Sequence, residues 1–156
     1  MKSLKQHIKE SFKIGKNKMV NNTYNYYPKN KKELKEIIKE RLAKDKDADL
    51  NDIDVSNIED MSYLFYKLDP HNIDISLWDV SNVEDMEGMF EGCDKFNANL
   101  SNWDVSKVVL MPAMFTKCKK FEGNGLENWN ILHVENMVNM FDQCDSLKNI
   151  PSWYKE

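Results

Sequence analysis

A unit of about 25 residues recurs four times along this 156-residue chain. Its pattern is W-D-V-S-N-V-x-D-M-x-x-M-F, and the clearest copy runs from Trp78 to Phe90. A phenylalanine closes each copy, at intervals of 25, 25 and 26 residues: Phe65, Phe90, Phe115 and Phe141. A unit this short cannot bury its own apolar side chains, so it becomes stable only when neighbouring copies stack on one another. The sequence therefore predicts a repeat architecture with one continuous core.

Residues between the copies follow the same period. A cysteine comes three residues after the closing phenylalanine in three copies, at Cys93, Cys118 and Cys144. An aliphatic residue comes three residues before each following tryptophan, and the last of these tryptophans is Trp153. The repeat region is accordingly predicted over residues 48–156, as four repeats and a truncated fifth.

The order of residues within one unit predicts the fold class. Trp103 and Val105 flank Asp104, and this alternation is typical of a short strand with the two apolar side chains facing the core. Ser81 then stands three residues before Glu84, the spacing of a helix capping box. Apolar residues at helical spacing follow it. We therefore expect an α/β fold, a repeat solenoid with one short strand and one short helix in each unit.

The N-terminal part carries no copy of the repeat. Asn30 to Glu33 has the pattern of a helix start, which predicts an N-terminal capping helix within residues 30–47. Residues 15–29 lack periodicity and are interpreted as a linker. Residues 1–14 are predicted to form a basic amphipathic helix, a candidate docking element that carries the following residues: Leu4, Lys5, Ile8, Lys9 and Phe12.

Charge is divided unevenly along the chain. The net charge is −4, with +8 over residues 1–47 (14 basic, 6 acidic) and −12 over residues 48–156 (8 basic, 20 acidic). A basic segment on an acidic body can attract an anionic partner or contact its own body. Arg41 is the only arginine, so specific nucleic-acid recognition is not predicted.

Hydropathy and targeting signals predict a cytoplasmic protein. No apolar run approaches the roughly 20 residues of a transmembrane helix, and no signal-peptide pattern precedes the repeats. Weak contact of the lysine-rich residues 1–18 with a membrane surface stays open as an alternative.

The sequence contains no motif for catalysis or metal binding. The three cysteines occupy equivalent apolar positions of the repeat, which favours a role in core packing. The three histidines lack ligand spacing, and no nucleophile motif or phosphate loop occurs. We therefore predict a protein that is not an enzyme, with no catalytic residues, no metal and no cofactor.

Acidic residues recur at two positions of the unit and form the candidate binding face: Asp54, Asp79, Asp104, Asn130, Asp60 and Asp85. If neighbouring strands lay about 4.8 Å apart, such a column would be a ladder of like charges that favours a cation or a basic partner. The alternative is that a short polar residue closes a tight turn at this point and is hydrated.

The unit W-D-V-S-N-V-x-D-M-x-x-M-F resembles the repeats of the BspA-like family of bacterial surface proteins, over about residues 48–153. The resemblance implies a leucine-rich-repeat-like solenoid of short parallel strands and short helices that serves adhesion or protein recognition. Short proteins with a similar lysine-rich N-terminus are familiar from gut bacteria and their phages. Unlike the surface members, the chain is predicted to have neither a secretion signal nor a lipid-anchor cysteine.

These observations lead to two functional hypotheses. The first is a non-enzymatic protein-protein interaction module, which recognises a protein partner with the repeat surface and uses the basic N-terminal helix as a tether. The alternative is a structural or cargo component of a larger assembly such as a phage virion. In that case the chain would be associated with the virion.

Overall fold

The computed structural model describes residues 24–148 and 150–155. Within these residues there is one α-helix, α1, which spans Lys31–Leu42. Asn30 is its N-cap, and the Asn30 side chain accepts a 3.0 Å hydrogen bond from the amide of Glu33. Helix α1 buries four apolar side chains against the repeats: Leu34, Ile37, Ile38 and Leu42. The helix therefore lies where the sequence places the capping helix.

The predicted α/β solenoid of short parallel strands and short helices is wrong. The described residues form no sheet, and parallel pairing is limited to isolated single-residue bridges. One such column links the four repeats: Asp60, Asp85, Leu110 and Asn136. No helix follows the tryptophan segment in any described repeat. The chain runs instead as an irregular coil that repeats every 25 residues or so.

Left-handed backbone explains why the helical pattern does not form helices. Two residues after each repeated methionine, φ is positive: 54° at Tyr63, 53° at Gly88, 54° at Ala113 and 58° at Asn139. Four residues further on, φ is positive again in every repeat: Lys67, Gly92, Lys117 and Gln143. A right-handed helix cannot pass through such residues, so the apolar stripe bends into successive turns.

The predicted capping box between Ser81 and Glu84 does not form, because each of the two residues bonds to a different partner. The hydroxyl of Ser81 donates to Asp79 Oδ1 at 2.6 Å, whereas the amide of Glu84 donates to the carbonyl of Glu59 in the preceding repeat at 2.8 Å. Further along, the amide of Phe90 donates to the carbonyl of Met114 in the following repeat at 2.9 Å. Backbone groups that a helix would satisfy internally thus connect successive repeats.

The core consists of side chains stacked in columns along the repeats. Rings of successive closing phenylalanines lie 5.1 to 5.7 Å apart, from Phe65 to Phe141. Rings of successive tryptophans lie 6.3 to 6.5 Å apart, from Trp78 to Trp153. The expectation that Trp103 and Val105 face the core agrees with their burial. The repeat pattern thus identifies inward-facing residues correctly although the elements that carry them differ.

Candidate recognition surface

The candidate binding residues Asp54, Asp79, Asp104 and Asn130 each close a turn. In all four, the side-chain Oδ1 accepts a hydrogen bond from the backbone amide two residues later, at 3.0 to 3.2 Å. Hydrogen bonds from Ser106 lower the pKa of Asp104. This geometry is the Asx turn, and it matches the alternative interpretation of the acidic column as turn residues.

Asp60 and Asp85 belong to a second column, that of the backbone bridges. Their Oδ1 atoms accept from the amides of Ser62 and Glu87 at 2.8 and 2.9 Å. Lys31 of α1 also pairs with Asp60, at 2.6 Å. Burial raises the pKa of Asp60, but the hydrogen bonds from Lys31 and Ser62 outweigh burial and lower it. All six candidate residues therefore use one oxygen atom in a turn, and they lie in two columns.

Sequence reasoning missed another surface, here called the variable face. It consists of three columns of side chains. Two columns lie between the repeated methionine and the next inward residue, and the third follows the closing phenylalanine: Ser62, Glu87, Pro112 and Val138; Tyr63, Gly88, Ala113 and Asn139; Tyr66, Glu91, Thr116 and Asp142. All but Gly88 and Thr116 are exposed or half-buried. No residue type occurs twice in any of these three columns. A comparison of the four copies, position by position, would have identified this surface.

An aromatic cluster marks the variable face at the first two repeats. The hydroxyl of Tyr63 donates to Glu87 Oε1 at 2.7 Å, and this bond raises the pKa of Tyr63 to about 12. The rings of Tyr63 and Tyr66 meet edge to face at 5.9 Å. Lys67 Nζ lies 5.1 Å from the centre of the Tyr66 ring. The cluster thus combines exposed apolar area with both donors and acceptors.

Basic side chains of α1 and the segment after it contact the first repeat. Lys35 Nζ donates to the carbonyl of Tyr63 at 2.6 Å, and Lys46 Nζ donates to the carbonyl of Leu68. Arg41 forms an ion pair of 2.9 Å with Asp52. Part of the basic excess of residues 1–47 is thus used within the molecule.

The opposite end of the stack contains a concavity of about 810 Å³. The last repeat forms one wall, including Met137 and Phe141, and the residues after Ile150 form the other, including Tyr154. The residues that the structure describes hold no group of three or more His, Cys, Asp or Glu side chains arranged to bind a metal ion. Polar side chains, among them Asn139, Asp142 and Gln143, also line this concavity, so its surface is mixed in character.

Two further sequence predictions concern the N-terminal docking residues and membrane-spanning helices. The candidate docking residues Leu4, Lys5, Ile8, Lys9 and Phe12 lie outside the described residues. Between Tyr24 and Lys155, leaving out Asn149, no helix has the length and apolar character needed to cross a membrane.

Taken with the stacked core, these surfaces define a repeat protein in which three columns of outward residues differ from copy to copy. A family model described as "Mycoplasma protein of unknown function, DUF285" matches residues 32–153. Because the match covers most of the chain, the protein belongs to this family. No curated protein matches the chain, and no solved structure does.

Proposed function

We propose that this chain is a non-enzymatic protein-protein interaction module that recognises a partner protein with its variable face. The observation that carries the proposal is the contrast within each repeat between constant inward residues and changing outward ones. The inward positions are methionine and phenylalanine in every copy apart from Leu64 in the first, whereas the three outward columns never repeat a residue type. The likeness of the unit to BspA-like surface-protein repeats supports a recognition role, and residues 1–14 are the candidate second contact.

A constant core lets the outward residues change at little cost in stability. Phe90 and Phe115 are fully buried, and their rings stack at 5.7 Å with an angle of 3° between the planes. The outward residues of the same segments are Glu87 and Pro112, which share a position but no chemistry. Substitutions on an exposed surface usually change stability by less than about 0.5 kcal/mol. The exposed residues of the repeats can therefore change without disturbing the packing of the buried phenylalanines.

The aromatic cluster is the strongest candidate contact on this face. Tyr63 is 37% exposed, and its ring is held by the hydrogen bond to Glu87 and by Tyr66. Tyrosine provides a large contact area with little loss of side-chain entropy, which is why it is frequent among residues that dominate binding energy. We therefore expect the partner to cover Tyr63 and Tyr66.

The experiment captures partners with the tagged full-length chain from a lysate of the cells that encode it. Bound proteins are identified by mass spectrometry, and their affinity is then measured with purified components. Tyr66→Ala is the test variant on the variable face. Asp104→Asn is the matched control, because asparagine occupies the equivalent position at Asn130 and accepts the same turn hydrogen bond.

Tyr66→Ala should weaken binding by about tenfold or more, the range of residues that dominate interfaces. Asp104→Asn should change the affinity by less than about twofold. Thermal melting of both variants confirms that they fold. The proposal is wrong if the purified partner binds Tyr66→Ala and the unmodified chain equally well, or if only Asp104→Asn loses binding.

A further inference from the structure

Negative charge is concentrated in one part of the repeat unit. The segments from the tryptophan position to the residue after the closing phenylalanine contain 11 acidic residues and one lysine: residues 53–66, 78–91, 103–116 and 129–142. The connecting segments contain seven acidic residues and seven lysines: residues 67–77, 92–102, 117–128 and 143–156. Because equivalent positions of successive repeats stack, the first set of segments forms an acidic side of the molecule.

Apolar residues interrupt this acidic side at the third repeat. The amide of Val109 donates to the carbonyl of Glu84 at 2.8 Å, and the amide of Glu135 donates to the carbonyl of Val109 at 2.9 Å. Val109 therefore lies between two residues whose carboxylate side chains are exposed. The neighbouring column changes in the same way, because Leu110 is bridged to Asp85 of the second repeat. Two apolar side chains thus stand where the first two repeats have carboxylates.

The apolar surface continues onto the variable face. Pro112 and Val138 occupy the same position of the third and fourth repeats, and the amide of Ala113 donates to the carbonyl of Val138 at 2.9 Å. Val138 is 59% exposed, and the others are half-buried. The five residues are here called the third-repeat patch: Val109, Leu110, Pro112, Ala113 and Val138. An apolar patch bordered by carboxylates is complementary to a segment that combines apolar and basic side chains.

The chain itself contains a segment of this composition. Leu4, Ile8 and Phe12 follow one another at intervals of four residues, and lysines stand at positions 2, 5, 9 and 13. The described part of the basic region gives a precedent, because Lys31 of α1 pairs with Asp60 on the acidic side at 2.6 Å. Among the described residues, no lysine or arginine forms an ion pair with Glu84, Asp85 or Glu135.

The third-repeat patch lies within reach of residues 1–14. Tyr24, where the described part of the chain begins, lies near the acidic side: burial raises its pKa, and the carboxylates of Asp54 and Asp79 raise it further. The nine residues 15–23 can span up to about 30 Å. Backbone segments of adjacent repeats lie about 5 Å apart where they are bridged, so the third repeat is not too distant from Tyr24.

Charge favours this segment over a second copy of the repeat region as the occupant of the patch. Two third-repeat patches placed together would bring the carboxylates of Glu84 and Glu135 against those of the other copy, and like charges oppose such pairing. A basic segment of another protein has the right charge, but it must compete with residues that a short linker holds at high effective concentration.

We infer that residues 1–14 dock on the third-repeat patch of their own chain, with their apolar side chains on the patch and their lysines beside Glu84 and Glu135. The contact is weak, because α1 already covers the first repeat and the fold does not depend on it. We expect the docked form to outnumber the undocked form by about fivefold at most. A partner that covers the variable face can therefore displace the segment, which then becomes available for the second contact.

The test is NMR of the full-length chain with labelled methyl groups. Nuclear Overhauser effects should connect the methyl groups of Leu4 or Ile8 with those of Leu110 or Val138. Raising the salt concentration from about 50 mM to about 500 mM should weaken them, because salt screens the attraction between lysines and carboxylates. A mixture of labelled and unlabelled chains distinguishes contacts within one chain from contacts between two.

Matched substitutions make the test specific, because each introduces a residue that another repeat has at the same position. Leu110→Asn combined with Val138→Ser removes apolar area from the patch without changing its charge. Leu132→Ser is the control, since Leu132 is 79% exposed but belongs to a different column. The double variant should lower the ratio of docked to undocked chain by about fivefold or more, and the control by less than about twofold. The methyl shifts of Leu4 and Ile8 report this ratio.

Three outcomes would overturn the inference. They are the absence of these Overhauser effects, their persistence in the double variant, and their occurrence between labelled and unlabelled chains, which would assign the contact to a second copy. None of them bears on recognition of a partner by the variable face, because Tyr66→Ala tests that proposal with the purified partner. The two proposals therefore fail separately.

Discussion

The indole nitrogen of Trp103 donates a 3.0 Å hydrogen bond to the backbone carbonyl of Ile75, which lies one repeat earlier. The other tryptophans make the same bond to the equivalent carbonyl: Trp78 to Leu50, Trp129 to Leu100 and Trp153 to Leu126. Each tryptophan thus stacks in the core and satisfies a buried acceptor of the repeat before. Both requirements together explain why this position is tryptophan rather than another aromatic residue.

Trp103→Phe should destabilise the protein by about 0.5 to 1.5 kcal/mol, because the carbonyl of Ile75 keeps the hydrogen bond from the amide of Trp78 but loses the one from the indole, and an aromatic ring remains in the core. Urea denaturation measures the change. Trp153→Phe is the matched control, since Trp153 is half-buried and water can replace its indole as the donor. Equal costs for the two variants would contradict the role assigned to the hydrogen bond.

The sequence predicted the inward-facing residues but not the backbone that carries them. Both an amphipathic helix and a coil of short turns place Val83, Met86 and Phe90 on one side, so the apolar spacing alone cannot separate them. The residues with positive φ exclude the helix. Glycine signals such a conformation at Gly88 and Gly92, but Ala113 and Tyr63 adopt it without any signal in the sequence.

The candidate site was predictable only in part. Asp79 and Asp104 each stand two residues before a serine, a spacing that is typical of an Asx turn. The structure shows this turn at both aspartates. Whether the column also binds a partner stays a prediction. The bonds between repeats could not be predicted, because the sequence does not tell which amides donate to the next repeat: the amide of Phe90 donates to Met114, whereas that of Met89 donates to Met86 within its own repeat.

Gly88→Ala should be more destabilising than Gly92→Ala. Both glycines have positive φ, 53° and 74°, which costs an L-residue about 1 kcal/mol. A Cβ at Gly88 would also lie 2.4 Å from the ring of Tyr63, whereas one at Gly92 meets nothing within 4 Å. Denaturation of both variants measures the difference.

Adding Tyr63→Ala to Gly88→Ala should remove the extra cost, because the colliding ring is then absent. The coupling energy of this double-mutant cycle should be about 0.5 kcal/mol or larger. If the two substitutions prove additive, the close approach of Gly88 to Tyr63 does not exist in solution.

Stability should fall at alkaline pH because of the buried thiols. Burial raises the pKa of Cys93 to about 12 and that of Cys144 to about 11, and it raises the pKa of Cys118 as well. Below the ordinary thiol pKa of 9.0 the folded and unfolded states are both protonated. Above it the unfolded chain loses protons first, so each thiol removes up to about 1.4 kcal/mol per pH unit.

Urea denaturation between pH 8 and pH 10.5 tests this expectation. Tyrosine and lysine side chains also titrate in this range, but they do so in every variant, so the comparison between variants isolates the thiol. Cys118→Ala should be less stable than the unmodified chain at pH 8, because its side chain is fully buried, but its stability should decline less steeply with pH. An unchanged slope in Cys118→Ala would show that this thiol ionises as readily in the folded state as in the unfolded one.

Residues 1–14 should be dispensable for folding, because α1 already covers the first repeat. Leu34 and Ile38 of α1 are fully buried, and Lys35 bonds to the carbonyl of Tyr63. Deletion of residues 1–14 should therefore shift the melting temperature by less than about 2 °C, which corresponds to under roughly 1 kcal/mol for a chain of this size. Ile38→Ala is the contrasting variant, with an expected cost of about 2 to 5 kcal/mol.

The same deletion tests the predicted tether. If residues 1–14 form a second contact, the truncated chain should keep its fold and bind the partner captured through the variable face more weakly, with an affinity that depends less on salt because the lysines are gone. Calorimetric titration at two salt concentrations measures both effects. Unfolding of the truncated chain, or unchanged affinity at both salt concentrations, would exclude a tether and favour packing of this segment on the acidic body or no role in binding.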